Sequence, residues 1–180
     1  LGLSPLGFFR PCERKKVLIV DEENRPDEFY SRLRSLCKAR RVNTKDLDGW
    51  LQVTSPRQGL TFKDPADVAY MAKAVKDFGP DLVVFDSFGS VTNVEGENDS
   101  VGIRTFIHDY AYAIHRICNA AILFIHHTGT AIYARVQEVD DEALIRGSSA
   151  LLDACDSALM IKPGRNGGDK TLVPLKVRSG

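Results

Sequence analysis

Short uninterrupted apolar runs alternate along the chain with stretches in which apolar residues recur every three or four positions. This alternation predicts strands separated by helices. Lys15-Lys-Val-Leu-Ile-Val20 is the first run, closed at once by Asp21-Glu22-Glu23-Asn24. Apolar runs without polar alternation belong to strands covered on both faces, as in parallel sheets. Arg25-Pro26-Asp27-Glu28 then opens a helix, with Pro in the first turn and acids at the positive end of the helix dipole. Phe29, Leu33, Leu36 and Cys37 are its expected inward stripe. Asp64-Pro65-Ala66-Asp67 starts a second helix that turns Val68, Met71, Ala72, Val75 and Phe78 inward and ends at Gly79-Pro80. The strand Asp81-Leu-Val-Val-Phe-Asp86 follows, then a polar loop from Gly89 to Gly102. A helix is expected from about Gly102 to about Cys118, burying Ile103, Phe106, Ile107, Tyr110, Ala113, Ile114 and Ile117. The strand Ala120-Ala-Ile-Leu-Phe-Ile125 delivers His126-His127-Thr128-Gly129.

Two regions carry weaker patterns. Between Arg41 and Gly59, the residues Leu47, Trp50, Leu51 and Val53 fit either a short strand or an irregular crossover. Thr130 to Glu142 has no period and reads as a mobile surface loop. Ala150 to Asp156 reads as a short helix and Ser157 to Ile161 as a strand. Pro163 to Lys170 is the expected hairpin turn into the strand Thr171–Val177, where Pro174 suits an edge. The predicted fold is α/β: a mostly parallel sheet flanked by helices, with a C-terminal antiparallel edge hairpin. The expected organisation is one domain over 1–180: a connector (1–14), a core (15–162), then a hairpin turn and edge strand (163–180). Open sheets of this kind keep their ligand crevice at the C-terminal ends of the strands, so function is sought at Asp21–Asn24, Asp86 and His126–Thr128.

Composition narrows the class. A chain of 180 residues with 43% hydrophobic content is long enough for one buried core. Lys plus Arg equals Asp plus Glu at 24 each, so net charge points neither toward nor away from nucleic acid. Cys12, Cys37, Cys118 and Cys155 form no Cys-x-x-Cys pair, which argues against a thiolate zinc site or a disulfide scaffold and suits a reducing cytoplasm. No apolar run approaches the roughly 20 residues of a membrane helix, and no signal peptide is recognisable; a soluble protein without membrane association is expected. The opening Leu1-Gly-Leu-Ser-Pro-Leu-Gly-Phe-Phe9, without an initiating Met, reads as the tail of something cut away upstream.

The strand ends carry the candidate chemistry. A carboxylate at Asp86 leaves the core where it can hold Mg²⁺ directly or through water. The same pattern arises when an acid meets solvent or caps a turn. Glu23 is the candidate base that orients and deprotonates a water, with Asp21 and Glu22 as competitors for that role. His126 or His127 can donate a hydrogen bond to a phosphate oxygen, and Thr128 can add a hydroxyl. His126 or His127 with Asp86 also permits a zinc site, although no His-Glu-x-x-His motif supports it. Arg146, followed by Gly147-Ser148-Ser149, is the candidate phosphate-directed guanidinium. No Gly-x-x-x-x-Gly-Lys-Ser/Thr occurs, so these residues contain no P-loop cradle for phosphates.

Taken together, Val17-Leu-Ile-Val-Asp-Glu-Glu-Asn-Arg-Pro26, Asp81 to Phe88, Glu97-Asn98-Asp99, Ile125-His-His-Thr-Gly129 and Arg146 to Asp156 resemble the RecA-like P-loop ATPases of the RepA-type hexameric replicative helicase group and their AAA_25 relatives. The resemblance covers roughly residues 15 to 162. It implies Glu23 as the water-activating glutamate, Asp86 as the Walker B aspartate, His126 as the phosphate sensor and Arg146 as an arginine reaching a neighbour's nucleotide. It also implies His127 and Thr128 near the nucleotide, Mg²⁺ and ATP as cofactors, and a homo-oligomeric ring acting on single-stranded DNA. Arg135, Arg146, Arg165 and Lys170 are the candidate DNA contacts.

Two departures qualify that implication. Thr130 stands where the group usually has lysine, and the Walker A strand, loop and helix have no counterpart. The chain therefore reads as the C-terminal majority of a DNA-linked, Mg-dependent ATPase. Alone it is expected to turn over little or no ATP, and its unpaired edges favour a dimer. The alternatives are an interaction or regulatory module on a degenerate RecA-like fold, and a metal-dependent hydrolase using Asp86 with His126 or His127. The central geometric expectation is that Glu23, Asp86 and His126 converge beside one vacant pocket.

Overall fold

A computed structural model describes residues 13–54, 59–92, 99–127, 149–163 and 169–178. They fall into two compact units, one within Leu1–Asn93 and Asp109–His126, the other within Val94–His108 and His127–Gly180.

The first unit is built on a four-stranded parallel sheet in the order β2-β1-β3-β4. β1 is Val17–Asp21, β2 Leu51–Thr54, β3 Leu82–Asp86 and β4 Ala121–Ile125. The ambiguous stretch after Arg41 resolves into a 3₁₀ turn at Thr44–Leu47 and then β2, which pairs with β1 from Val17↔Leu51 to Val20↔Thr54. Asn43 closes the 3₁₀ turn with a reciprocal capping box to Asp46, which settles the chain direction into β2.

Three helical segments connect the strands: α1 (Pro26–Ala39), α2 (Pro65–Phe78) and a last leg into β4, α5 (Tyr112–Cys118). Asp64 caps α2 by accepting the Ala66 N–H at 2.8 Å, and Gly79 ends it in the left-handed conformation, φ +60. Asp64→Ala is expected to cost about 1 kcal/mol, read as a lower urea midpoint at unchanged slope. Asn119, also left-handed, ends α5. Within the loop expected from Gly89 to Gly102 the chain instead forms a short helix, α3 (Phe88–Thr92). It follows a cis Asp86–Ser87 peptide, and its buried Phe88, Val91 and Thr92 outweigh the turn signals of Gly89 and Ser90.

The register separates the two sheet faces. Leu18 and Val20 align with Val83 and Phe85, all four fully buried, and with Ile122 and Phe124 of β4. Connections between parallel strands are right-handed, so the β1-to-β2 step places α1 on one face and the two later steps place α2 and α5 on the other. α2 and α5 pack together. Their Met71, Val75 and Ile114 are buried, as is Ala111 just before α5, and the fully buried strand face is theirs. The opposite face carries Val17, Ile19, Leu51, Val53, Leu82 and Val84, none of them fully buried. On β4 it carries Leu123 and Ile125, 48% and 40% exposed. Among the described residues of this unit, α1 alone serves that face.

This asymmetry corrects two expectations. Leu36 of α1 is 62% exposed and Ile117 of α5 is 44% exposed. Phe29, Leu33 and Cys37 make the inward line of α1 at four-residue steps, and Leu36 lies to its side, where no second helix is described. For Ile117, the expected single helix is interrupted by a π-helical turn at Ile107–Ala111, which shifts the phase of every later residue.

The second unit contains α4 (Ser100–Phe106), α6 (Ser149–Ala154) and the antiparallel pair β5 (Ser157–Pro163) and β6 (Lys170–Val177). α4 packs on α6, with Ile103, Phe106, Ala150, Leu151 and Met160 buried. Lys176 donates to the carbonyls of Leu152 and Asp153 at 2.8 and 2.9 Å, closing the negative end of α6. Pro174 pairs opposite Leu159 beside a register shift, a position that spares the ladder an amide donor. The mobile loop expected from Thr130 to Glu142 lies outside the described residues.

Candidate functional site

The fold brings the strand ends of the first unit to one rim. Asp21 and Asp86 are register partners across β1 and β3, and Asp86 is in turn opposite Ile125, the residue before His126. Neighbouring strands are about 4.8 Å apart, so the two carboxylates share one neighbourhood and His126 begins one strand further along. The Glu22 N–H donates to the Asp86 carbonyl at 2.8 Å, carrying the β1–β3 ladder one residue past the strand end.

Asp21 is 1% exposed, and its carboxylate is fully employed. Oδ1 accepts the backbone N–H groups of Glu23 and Asn24 at 3.0 and 2.8 Å, and the Asn24 amide reaches both oxygens. The same amide lies 3.5 Å from Asp86 Oδ2, and Arg32 donates to Asn24 Oδ1 at 2.7 Å. Asn24 therefore bridges the two strand-end acids with a cation behind it. Sequence reasoning did not single out Asn24 or Arg32; the available signal was an amide directly after the acidic run.

Glu23 is exposed at this rim, while Asp86 is half-buried. His126 is half-buried with its ring edge-on to Phe88, centroids 5.8 Å apart. Phe88 also packs edge-on to Phe124, so aromatic packing fixes the backbone from which His126 projects. His127 is exposed and belongs to the second unit. Thr128 and Arg146 lie outside the described residues, as do Arg135 and Arg165, and Lys170 is exposed on β6.

Glu22 differs from its neighbours. It is 8% exposed, and its Oε2 accepts the Gly59 N–H at 2.9 Å. Its Oε1 has no hydrogen-bond partner among the described residues. Burial raises its pKa above the ordinary 4.5, the N–H groups of Gly59 and Leu60 pull it back, and the charges of Asp21 and Asp67 raise it further. A raised folded pKa contributes stability that is full below the unfolded value and lost as pH rises through the folded one. Glu22→Gln removes that loss. The variant is expected to gain stability relative to the parent as pH climbs from 4.5 toward neutrality, measured by urea unfolding at a series of pH values.

A shallow depression of about 380 Å³ along the start of α1 is lined by Asp27, Glu28, Ser31 and Arg32, and not by Glu23, Asp86 or His126. Among the described residues no three His, Cys, Asp or Glu side chains group as a metal-binding set. A zinc site made by Asp86 with the histidines therefore gains no support there. One half-buried carboxylate on a strand end does fit Mg²⁺, which binds through one or two carboxylates while keeping its waters. The sequence contains no Gly-x-x-x-x-Gly-Lys-Ser/Thr string.

A sheet of parallel strands flanked by helices, with acids at its C-terminal rim, is an α/β architecture of the kind that keeps its ligand crevice at that rim. The family model for the AAA domain, AAA_25, matches residues 1–131, and the chain belongs to this family. Such domains are P-loop-type, ATPase-like and generally bind ATP with Mg²⁺. No curated protein matches the chain. No helix among the described residues is long and apolar enough to cross a membrane.

Proposed function

We propose that this chain forms the greater part of a Mg-dependent ATPase domain whose Gly-Lys-Ser/Thr loop is contributed by polypeptide outside these 180 residues. The observation that carries the reading is the register: Asp86 ends the central strand with Asp21 beside it on β1 and the strand leading to His126 on the other side. In this reading Asp86 holds Mg²⁺, Glu23 orients and deprotonates the attacking water, and His126 meets the terminal phosphate. The family resemblance adds nucleotide-binding roles for His127 and Thr128 and a role toward a neighbouring subunit for Arg146.

The sheet supports an added element. Among the described residues β4 is an edge strand, with no polar residue from Ala121 to Ile125, and its Leu123 and Ile125 are 48% and 40% exposed on the face that α1 serves. Edges of that composition are normally paired or covered, and a further strand and helix carrying the phosphate loop would do both.

The family resemblance extends the proposal to a homo-oligomeric ring working as a helicase or related motor on single-stranded DNA. The test is phosphate release from Mg-ATP by residues 1–180 and by the chain carrying its natural upstream sequence, each with and without single-stranded DNA. Turnover in the longer protein alone, stimulated by DNA, is the expected result. Robust turnover by residues 1–180 would overturn the proposal of an external phosphate loop, and DNA-independent turnover the motor.

A further inference from the structure

The sequence makes Glu22 a competitor of Glu23 for the role of base, yet the fold buries its carboxylate against the Gly59 amide. We infer that Glu22 is a positioning residue: it ties the segment Gly59–Phe62 to the strand end that presents Asp86. Its backbone N–H is bonded to the Asp86 carbonyl at 2.8 Å, while its carboxylate holds the Gly59 N–H at 2.9 Å. The Thr61 N–H goes to Asp67 Oδ2 of α2 at 2.8 Å. Two N–H groups of one short segment are thus each held by a carboxylate, backbone amides taking a fixed internal anion. Gly59, at φ +74, makes the turn that presents them.

What this segment holds explains the consequence for the rim. Leu60 and Phe62 are 6% and 4% exposed. The Phe62 ring lies 5.8 Å from that of Phe85, the residue before Asp86, and 5.1 Å from that of Tyr110. The Phe62 N–H reaches the Val91 carbonyl of α3 at 3.4 Å. Displacement of 59–62 therefore acts on both sides of Asp86, through Phe85 before it and α3 after it. A buried carboxylate with one oxygen lacking a partner among the described residues is a costly way to fill space. An acceptor that must reach the Gly59 amide accounts for it.

The reading of Asp86 as a nucleotide site is needed only for a turnover readout, so the test has two arms. In residues 1–180, amide hydrogen exchange is measured for Glu22→Gln, which keeps an acceptor of full length, and for Glu22→Asp, which keeps the charge but falls one methylene short. Glu22→Asp is expected to speed exchange at Gly59, Leu60 and Thr61 at least tenfold without a matching change in α5, and Glu22→Gln to stay within threefold of the parent. In the ATP-hydrolysing form, Glu22→Asp is expected to lower kcat at least fivefold with KM unchanged, and Glu22→Gln to retain at least half of kcat. A base would give the reverse order, with Gln inactive and Asp partly active, and that result overturns the inference. So does unchanged exchange at 59–61 in Glu22→Asp, or faster exchange spread evenly over the unit. Absence of turnover in every form counts against the ATPase reading alone, because the exchange arm still decides the role of Glu22.

Discussion

Asp86→Asn is expected to lower ATP turnover by the hydrolysing form of the protein by on the order of a hundred- to a thousandfold, the usual loss when one preorganised charged or hydrogen-bonding group is taken from a developing transition state. The substitution is nearly isosteric. Asp86 sits between β1 and β4 with its backbone in both ladders, and those bonds do not involve the side chain. Folding should therefore survive, as a near-unchanged urea midpoint will show. The Asn24 amide is 3.5 Å from the carboxylate and is already committed to Asp21 at 3.0 Å, so its loss as a partner adds little. Steady-state phosphate release at saturating Mg-ATP is the measurement. A variant that keeps more than a tenth of the parent rate would remove Asp86 from the role of metal holder.

The largest effect on folding is expected one residue earlier. Phe85 is fully buried, stacked on Phe124 with centroids 5.5 Å apart and tilted 21°, and edge-on to Phe62 at 5.8 Å. Replacing it with Ala removes these contacts and opens a cavity in the centre of β3, where strands on both sides hold the backbone and limit collapse. Phe85→Ala should cost about 3–5 kcal/mol, enough to consume a large part of the stability of a domain of this size. Equilibrium urea unfolding measures it. A loss below about 1 kcal/mol would mean that the aromatic cluster under the rim is not a packed core.

How much of this was legible in the chain follows from where the information resides. β1, β3 and β4 were readable because strands beneath helices are apolar at every position, and these runs are too short for a helix, rich in Val, Ile and Phe, and bounded by polar or turn residues. α2 was readable from both ends, since Asp64 and Gly79 each have a local role. β2 was ambiguous because Leu51-Gln-Val-Thr54 is short and alternating, and only pairing with β1 makes it a strand. The inward placement of Leu36 failed because helical spacing says which residues share a face, not whether anything lies opposite them, and that of Ile117 because the π-helical turn at Ile107–Ala111 shifts its phase relative to the helix before it. The rim itself was legible as a set of strand ends carrying Glu23, Asp86 and His126. The separation of labour within Asp21-Glu22-Glu23 was not, because it depends on alternation past the end of β1: Asp21 turns to Asn24, Glu22 to Gly59, and Glu23 to solvent.

The account stands on the rim of β1, β3 and β4 being the nucleotide site. The measurement that tests it most directly is a crystal structure of the hydrolysing form with Mg²⁺ and a non-hydrolysable ATP analogue. The expected result is Mg²⁺ bound to the Asp86 carboxylate directly or through one water, with the terminal phosphate between Glu23 and His126. A nucleotide bound elsewhere, with Asp86 remote from its metal, would contradict the account.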